Sequence, residues 1–142
     1  MSSLSPDSDC RFSTLAILGV GLIGGSIASA ARSRGVVDRV IGLGRNPQRL
    51  QEACRQGLID EASTSLEDAA AADLVVVCTP VDRIARDVRD LATIVGQQAL
   101  LSDAGSTKQT ICDALDDLDG SRGPTFIGAH PLAGSERGGY EH

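Results

Sequence analysis

Residues Leu15–Ser26 read Leu-Ala-Ile-Leu-Gly-Val-Gly-Leu-Ile-Gly-Gly-Ser, an apolar run that empties directly into glycines spaced G-x-G-x-x-G. The pattern predicts a strand turning into a helix. Gly19 suits the tight turn, Gly21 lets backbone N–H groups approach a pyrophosphate with no Cβ in the way, and Gly24 lets the helix lie close to the sheet. The helix expected over Leu22–Ser33 aims its unpaired first-turn N–H groups, those of Leu22 and Ile23 among them, at the anion. The competing reading is an ordinary glycine-rich turn. A strand before the glycines and an apolar, small-residue helix after them favour a dinucleotide site.

The chain has 142 residues, enough for one core. Hydrophobic residues make up 42% and aromatics number three, two Phe and one Tyr, so the core must be built from Val, Ile, Leu and Ala. Those residues fill buried parallel strands, whereas aromatic-dependent sandwiches and nucleic-acid stacking platforms are disfavoured. A net charge of −6 argues against nucleic acid and anionic membranes as partners, so an anion must be held locally by backbone dipoles. Cys10, Cys54, Cys78 and Cys112 form no C-x-x-C pair and have no neighbouring histidine, so no metal site is expected. They read as free thiols in a reducing compartment. The start has neither a basic nor an apolar signal region, and nothing reaches membrane-spanning length, so a soluble cytoplasmic protein is expected.

Strand-like and helix-like stretches alternate, the pattern of an α/β doubly wound parallel sheet of Rossmann type. Residues 1–11 are expected as a disordered tail and 12–142 as one dinucleotide-binding domain. Strands are expected at Thr14–Leu18, Arg39–Leu43, Ile59–Ala62, Leu74–Cys78, Ala99–Asp103 and Thr125–Ala129. Helices are expected at Pro47–Gln56, at Ser65–Ala71 capped by Ser65, at Val81–Val95 and at Thr107–Leu118. In Val81–Val95 the apolar residues recur at three and four, and the alternating charges, Asp87 among them, read as the solvated face. Acidic residues Asp113, Asp116, Asp117 and Asp119 oppose the dipole at the last helix's exit, so that end is expected to be exposed and frayed.

The end of the second strand should meet the adenosine ribose, where an acidic residue would bind the hydroxyls of NAD. Here the stretch is Leu43-Gly44-Arg45-Asn46. Gly44 removes the carboxylate and Arg45 can pair with a 2′-phosphate, so NADP is favoured, with NAD as the alternative. Loops after the later strands, Cys78-Thr79-Pro80 and Asp103-Ala104-Gly105-Ser106-Thr107-Lys108, complete the expected cofactor contacts, chiefly at Cys78, Thr79, Pro80, Asp103 and Gly105. His130 leaves the last strand beside Pro131, and a neutral imidazole suits proton acceptance from an alcohol while hydride departs. Ser106 opens a helix and is a candidate to orient that imidazole. The bland alternatives are a helix cap for Ser106 and a hydrogen-bonded corner for His130.

Together, Gly19–Ser26, Asp103–Lys108 and Gly128-Ala129-His130-Pro131-Leu132-Ala133-Gly134-Ser135-Glu136 resemble the prephenate and arogenate dehydrogenases of tyrosine biosynthesis. The last two stretches are the more specific, and the resemblance runs from about Leu15 to Tyr140. It implies oxidative decarboxylation: hydride leaves the ring carbon bearing the 4-hydroxyl for the nicotinamide, carbon dioxide departs and the ring becomes aromatic. It also implies His130 as the base, Ser106 at the same centre, and Ser135 and Glu136 along the substrate. Lys108 fits the family's turn and equally a solvated first-turn lysine, while Gly44-Arg45 is similar to the NADP-preferring branch. Family members continue into a helical domain that dimerises and supplies a basic group for the substrate carboxylate. No segment here corresponds to it, so the chain is expected to be a cofactor-binding half, inactive alone. Two other readings are a different hydroxyacid or imine oxidoreductase of this fold and a non-catalytic dinucleotide-binding module.

Overall fold

A computed structural model describes residues 11–131. The glycine-led alternation becomes six strands, β1 (Phe12–Leu18), β2 (Val37–Leu43), β3 (Glu61–Ser63), β4 (Leu74–Val77), β5 (Leu100–Asp103) and β6 (Thr125–Ile127). Four helices connect them: α1 (Leu22–Ser33), α2 (Pro47–Arg55), α3 (Val81–Ala92) and α4 (Lys108–Ala114). All pairs in the sheet are parallel and the order is β3-β2-β1-β4-β5-β6. This is the doubly wound Rossmann-type order, whose reversal point lies between β1 and β4.

Both faces of the central strands are buried, because successive side chains point to opposite sides. In β1, Leu15 and Ile17 join Val40 and Val76 beneath α1 and α2, with Ala28, Leu50 and Ala53. Ala16 and Leu18 join Leu43, Val75, Val77 and Leu101 on the other side, beneath Ile84, Val88 and Leu91 of α3 and Ile111 of α4. Aspartates fix the strand starts: Asp73 accepts the Thr14 N–H at 2.8 Å and Asp60 the Val40 N–H at 2.7 Å.

Several elements are shorter than the sequence predicts. The expected Ser65–Ala71 helix is a single 3-10 turn, Leu66–Ala69, and the Ser65 side chain makes no capping bond. The third strand falls at Glu61–Ser63 rather than Ile59–Ala62, leaving Ile59 as a core residue. α3 stops at Ala92, three residues early, and α4 runs only from Lys108 to Ala114. The acidic exit of α4 is not loose. Arg89 of α3 binds both oxygens of Asp117, at 2.7 and 3.1 Å, and the Ala114 carbonyl at 2.5 Å. That guanidinium supplies the positive charge the helix end lacks in its own sequence and holds the Asp117 carboxyl below the usual carboxylate range.

Candidate cofactor-binding and catalytic site

Because the strands are all parallel, the turns that follow them gather along one edge of the sheet. The turn after β1 is shaped by two glycines. Gly19 has φ of 95°, and a Cβ there would stand 2.8 Å from the Cys78 carbonyl oxygen. A Cβ on Gly24 would come within 2.2 Å of the Gly19 carbonyl oxygen, so α1 can lie this close to the turn only with glycine at that position. Gly21 differs, because a Cβ there meets nothing within 4 Å. It is the N-cap of α1 and no side chain caps the helix, so the first-turn N–H groups, including those of Leu22 and Ile23, remain without intrahelical acceptors. Open space facing unsatisfied N–H groups and a helix dipole fits a pyrophosphate.

That space continues into a cleft of about 450 Å³ over the ends of β1, β2 and β4. Of the residues singled out in the sequence, Gly19, Gly21, Gly44, Arg45, Asn46, Cys78, Thr79 and Pro80 line it. Gly44 leaves no carboxylate at the end of β2, and the exposed Arg45 is in no ion pair among the described residues. Asn46 turns its side chain to the helix instead, accepting the Arg49 N–H at 3.1 Å as the α2 cap. Burial and the nearby Asp103 charge push the Cys78 thiol up to about 12, so it lines the cleft as a neutral group.

Arg49, Arg83 and Asp87 also line the cleft, and sequence reasoning did not single them out as site residues. Asp87 is a correction. Read as part of a solvated face, it is 4% exposed, accepts the Thr79 hydroxyl at 2.6 Å and lies 3.5 Å from the Arg83 guanidinium. The signal was in the helical phase, since Asp87 falls on the stripe of Ile84, Val88 and Leu91.

Asp103 and Gly105 do not line this cleft. The Asp103 carboxylate, 1% exposed, turns inward and accepts the Gly105 N–H at 2.8 Å, the Ala129 N–H at 3.3 Å and the Lys108 ammonium. Its side chain is therefore a brace joining the turns after β5 and β6. Lys108, half-buried in that pair, is not a solvated lysine. Gly105 is needed for packing, as a Cβ there would lie 2.6 and 2.7 Å from Ile84 and Ile111. Gly128 is equally tight, 2.8 Å from the Cys112 sulfur and 2.9 Å from Lys108 Cδ.

His130 follows directly after the braced Ala129 and is exposed at the same edge. Its Nδ1 lies 2.9 Å from the Pro131 carbonyl oxygen. A carbonyl only accepts, so Nδ1 is the donor in this contact and Nε2 is the ring nitrogen it leaves unengaged. Ser106 is exposed ahead of α4, whose N-cap is Thr107, and among the described residues no hydrogen bond joins it to His130. Ser135 and Glu136 lie outside the described residues. Among those described, no three His, Cys, Asp or Glu side chains gather as for a metal, and no helix is long and apolar enough to cross a membrane.

Fold and cleft together define a Rossmann-type nucleotide-binding domain. Residues 27–142 match the family described as the prephenate dehydrogenase nucleotide-binding domain, and the chain belongs to that family. It is 35% identical over 128 residues to a prephenate dehydrogenase of Bacillus subtilis, covering 89% of this chain and 34% of that relative. Among solved structures, a Synechocystis arogenate dehydrogenase superposes with a TM-score of 0.81 at 30% identity, covering 90% of this chain and 44% of that one. The prephenate dehydrogenase from Aquifex aeolicus, in complex with hydroxyphenyl propionate and NAD+, gives 0.81 at 34% identity over 92% of this chain and 45% of that one. The chain thus spans about a third of the curated relative and under half of the solved ones.

Proposed function

We propose that this domain binds NADP in preference to NAD and serves the oxidative decarboxylation of prephenate or arogenate, a step of tyrosine biosynthesis in the cytoplasm. The observation that carries the cofactor reading is the end of β2: Gly44 supplies no carboxylate, and Arg45 and Arg49 stand in the cleft beside it. A 2′-phosphate meets no repulsion there and two guanidinium groups can pair with it. The relative solved with NAD+ makes nicotinamide use by the family concrete, while these residues point this chain to the phosphorylated form.

When bound, the cofactor supplies a hydride acceptor. The chain's own part is to seat the pyrophosphate on the first turn of α1, with Gly21 leaving room for it. His130 then takes the substrate's 4-hydroxyl proton at Nε2, as the hydrogen on Nδ1 is engaged by Pro131. Ser106, exposed on the neighbouring turn, is assigned to the same hydroxyl, and Ser135 and Glu136 to the substrate's carboxylate and side-chain region. Loss of the ring carboxylate as carbon dioxide accompanies aromatisation and makes the step effectively irreversible. A helical domain of the kind that dimerises in the family would complete the substrate pocket. Titration calorimetry with NADPH and NADH tests the cofactor assignment, and cofactor reduction assayed with prephenate and with arogenate tests the reaction. Equal affinity for the two cofactors would overturn the first, and no reduction with either substrate by the catalytically complete protein would overturn the second.

A further inference from the structure

The buried carboxylate of Asp87 has no part in the reading above. It stands in the cleft wall on α3, where an ionised group is costly unless its lone pairs are engaged. Two cleft residues engage it. Thr79 approaches Oδ2 at 2.6 Å, and the guanidinium of Arg83 lies 3.5 Å from Oδ1. A carboxylate has no proton to give, so the Thr79 hydroxyl must spend its single hydrogen on Asp87. What Thr79 offers the cleft is then lone pairs alone. A free threonine hydroxyl could rotate to donate or accept, and this one is restricted to accepting.

We propose that Asp87 is a positioning residue for the bound dinucleotide, fixing Thr79 as an acceptor for a donor group on the cofactor and holding Arg83 against the cleft wall. The donor is a ribose hydroxyl or an amide N–H. The proposal rests on the cofactor reading above and adds to it a polarity requirement at one point in the cleft.

The test measures affinity for NADPH and for adenosine 2′,5′-bisphosphate, with melting temperature recorded without ligand. Thr79→Val should weaken NADPH binding about three- to tenfold, the range one hydrogen bond carries, and Thr79→Ser should restore it. Asp87→Leu should weaken binding at least as much, since it also frees Arg83, and the double variant with Thr79→Val should lose less than the sum of the two, because the Thr79 contact is removed in both. If Asp87→Leu fails to fold by circular dichroism, Asp87→Asn replaces it: the amide can turn an N–H to Thr79 and reverse the bond, again lowering affinity. A loss shared by the bisphosphate places the donor on the adenosine half, and a loss confined to NADPH places it on the nicotinamide half. Unchanged affinity in Thr79→Val, additive losses, or a lowered melting temperature with intact affinity would overturn the proposal alone. Failure of the unsubstituted chain to bind either dinucleotide would overturn the cofactor reading and this proposal with it.

Discussion

Gly24 and Gly19 are in such close contact that a methyl group on the first would stand 2.2 Å from the carbonyl oxygen of the second, while Gly21 between them has open space. The three glycines of one motif should therefore fail differently. Gly24→Ala must push α1 off the turn and is expected to lower the melting temperature markedly. Gly21→Val should leave circular dichroism and melting nearly unchanged yet abolish dinucleotide binding, since its side chain projects into the pyrophosphate space. Normal binding by Gly21→Val would mean that the pyrophosphate lies elsewhere.

At the end of β2, the nearest neighbour of a Cβ on Gly44 would be the Leu50 side chain, at an ordinary contact distance of 3.7 Å, so a larger residue fits. Gly44→Asp is expected to reverse the cofactor preference toward NADH, by repulsion of the 2′-phosphate and by hydrogen bonds to the free ribose. Arg45→Ala should weaken NADPH by roughly tenfold or more, in line with loss of a charge-assisted hydrogen bond, and leave NADH almost untouched. Calorimetric titration of both variants with both cofactors checks this.

Cys78 gives a prediction at alkaline pH. Burial, aided by the Asp103 charge, raises its thiol from 9.0 to about 12, so the folded protein holds this proton more tightly than the unfolded chain does. Its contribution to stability is whole below about pH 9 and is lost as pH climbs toward 12. Denaturant midpoints should fall over that window, less steeply in Cys78→Ala. At pH 8 iodoacetamide should leave Cys78 unmodified in the folded protein, because the reactive thiolate is scarce.

For the chemistry, His130→Asn in the catalytically active protein should lower turnover by roughly 10²–10⁴-fold with cofactor affinity nearly unchanged. Ser106→Ala should cost less, since it accepts no proton. Asp103→Ala is expected to reduce both turnover and melting temperature, because Lys108 and the Ala129 N–H lose their common acceptor. Steady-state kinetics with a thermal melt for each variant separates the three. Unchanged turnover in His130→Asn would remove the proposed base.

The strand–helix alternation, the glycine turn and the glycine–arginine pair at the end of β2 could be read from local patterns, because periodicity and glycine spacing are properties of short segments. Asp103 and Asp87 could not be assigned in the same way. Whether a carboxylate at a strand end turns inward depends on which N–H groups the fold brings to it, here that of Gly105 in the same turn and that of Ala129, 26 residues away. Asp87 was hidden by its neighbours: among the alternating charges of α3 only its phase with Ile84 and Leu91 distinguishes it. The partner of the acidic α4 exit, Arg89, likewise comes from another helix.

Both outer strands of the sheet, β3 and β6, are three residues long. A neighbouring chain seeking to extend the sheet would find only a few backbone groups on either side, too short a template for stable strand addition. The domain's geometry therefore guards against edge-to-edge aggregation, helped at β6 by Pro124 just before the strand and by the Asp119–Thr125 bridge, even though Ile127 stands 56% exposed there.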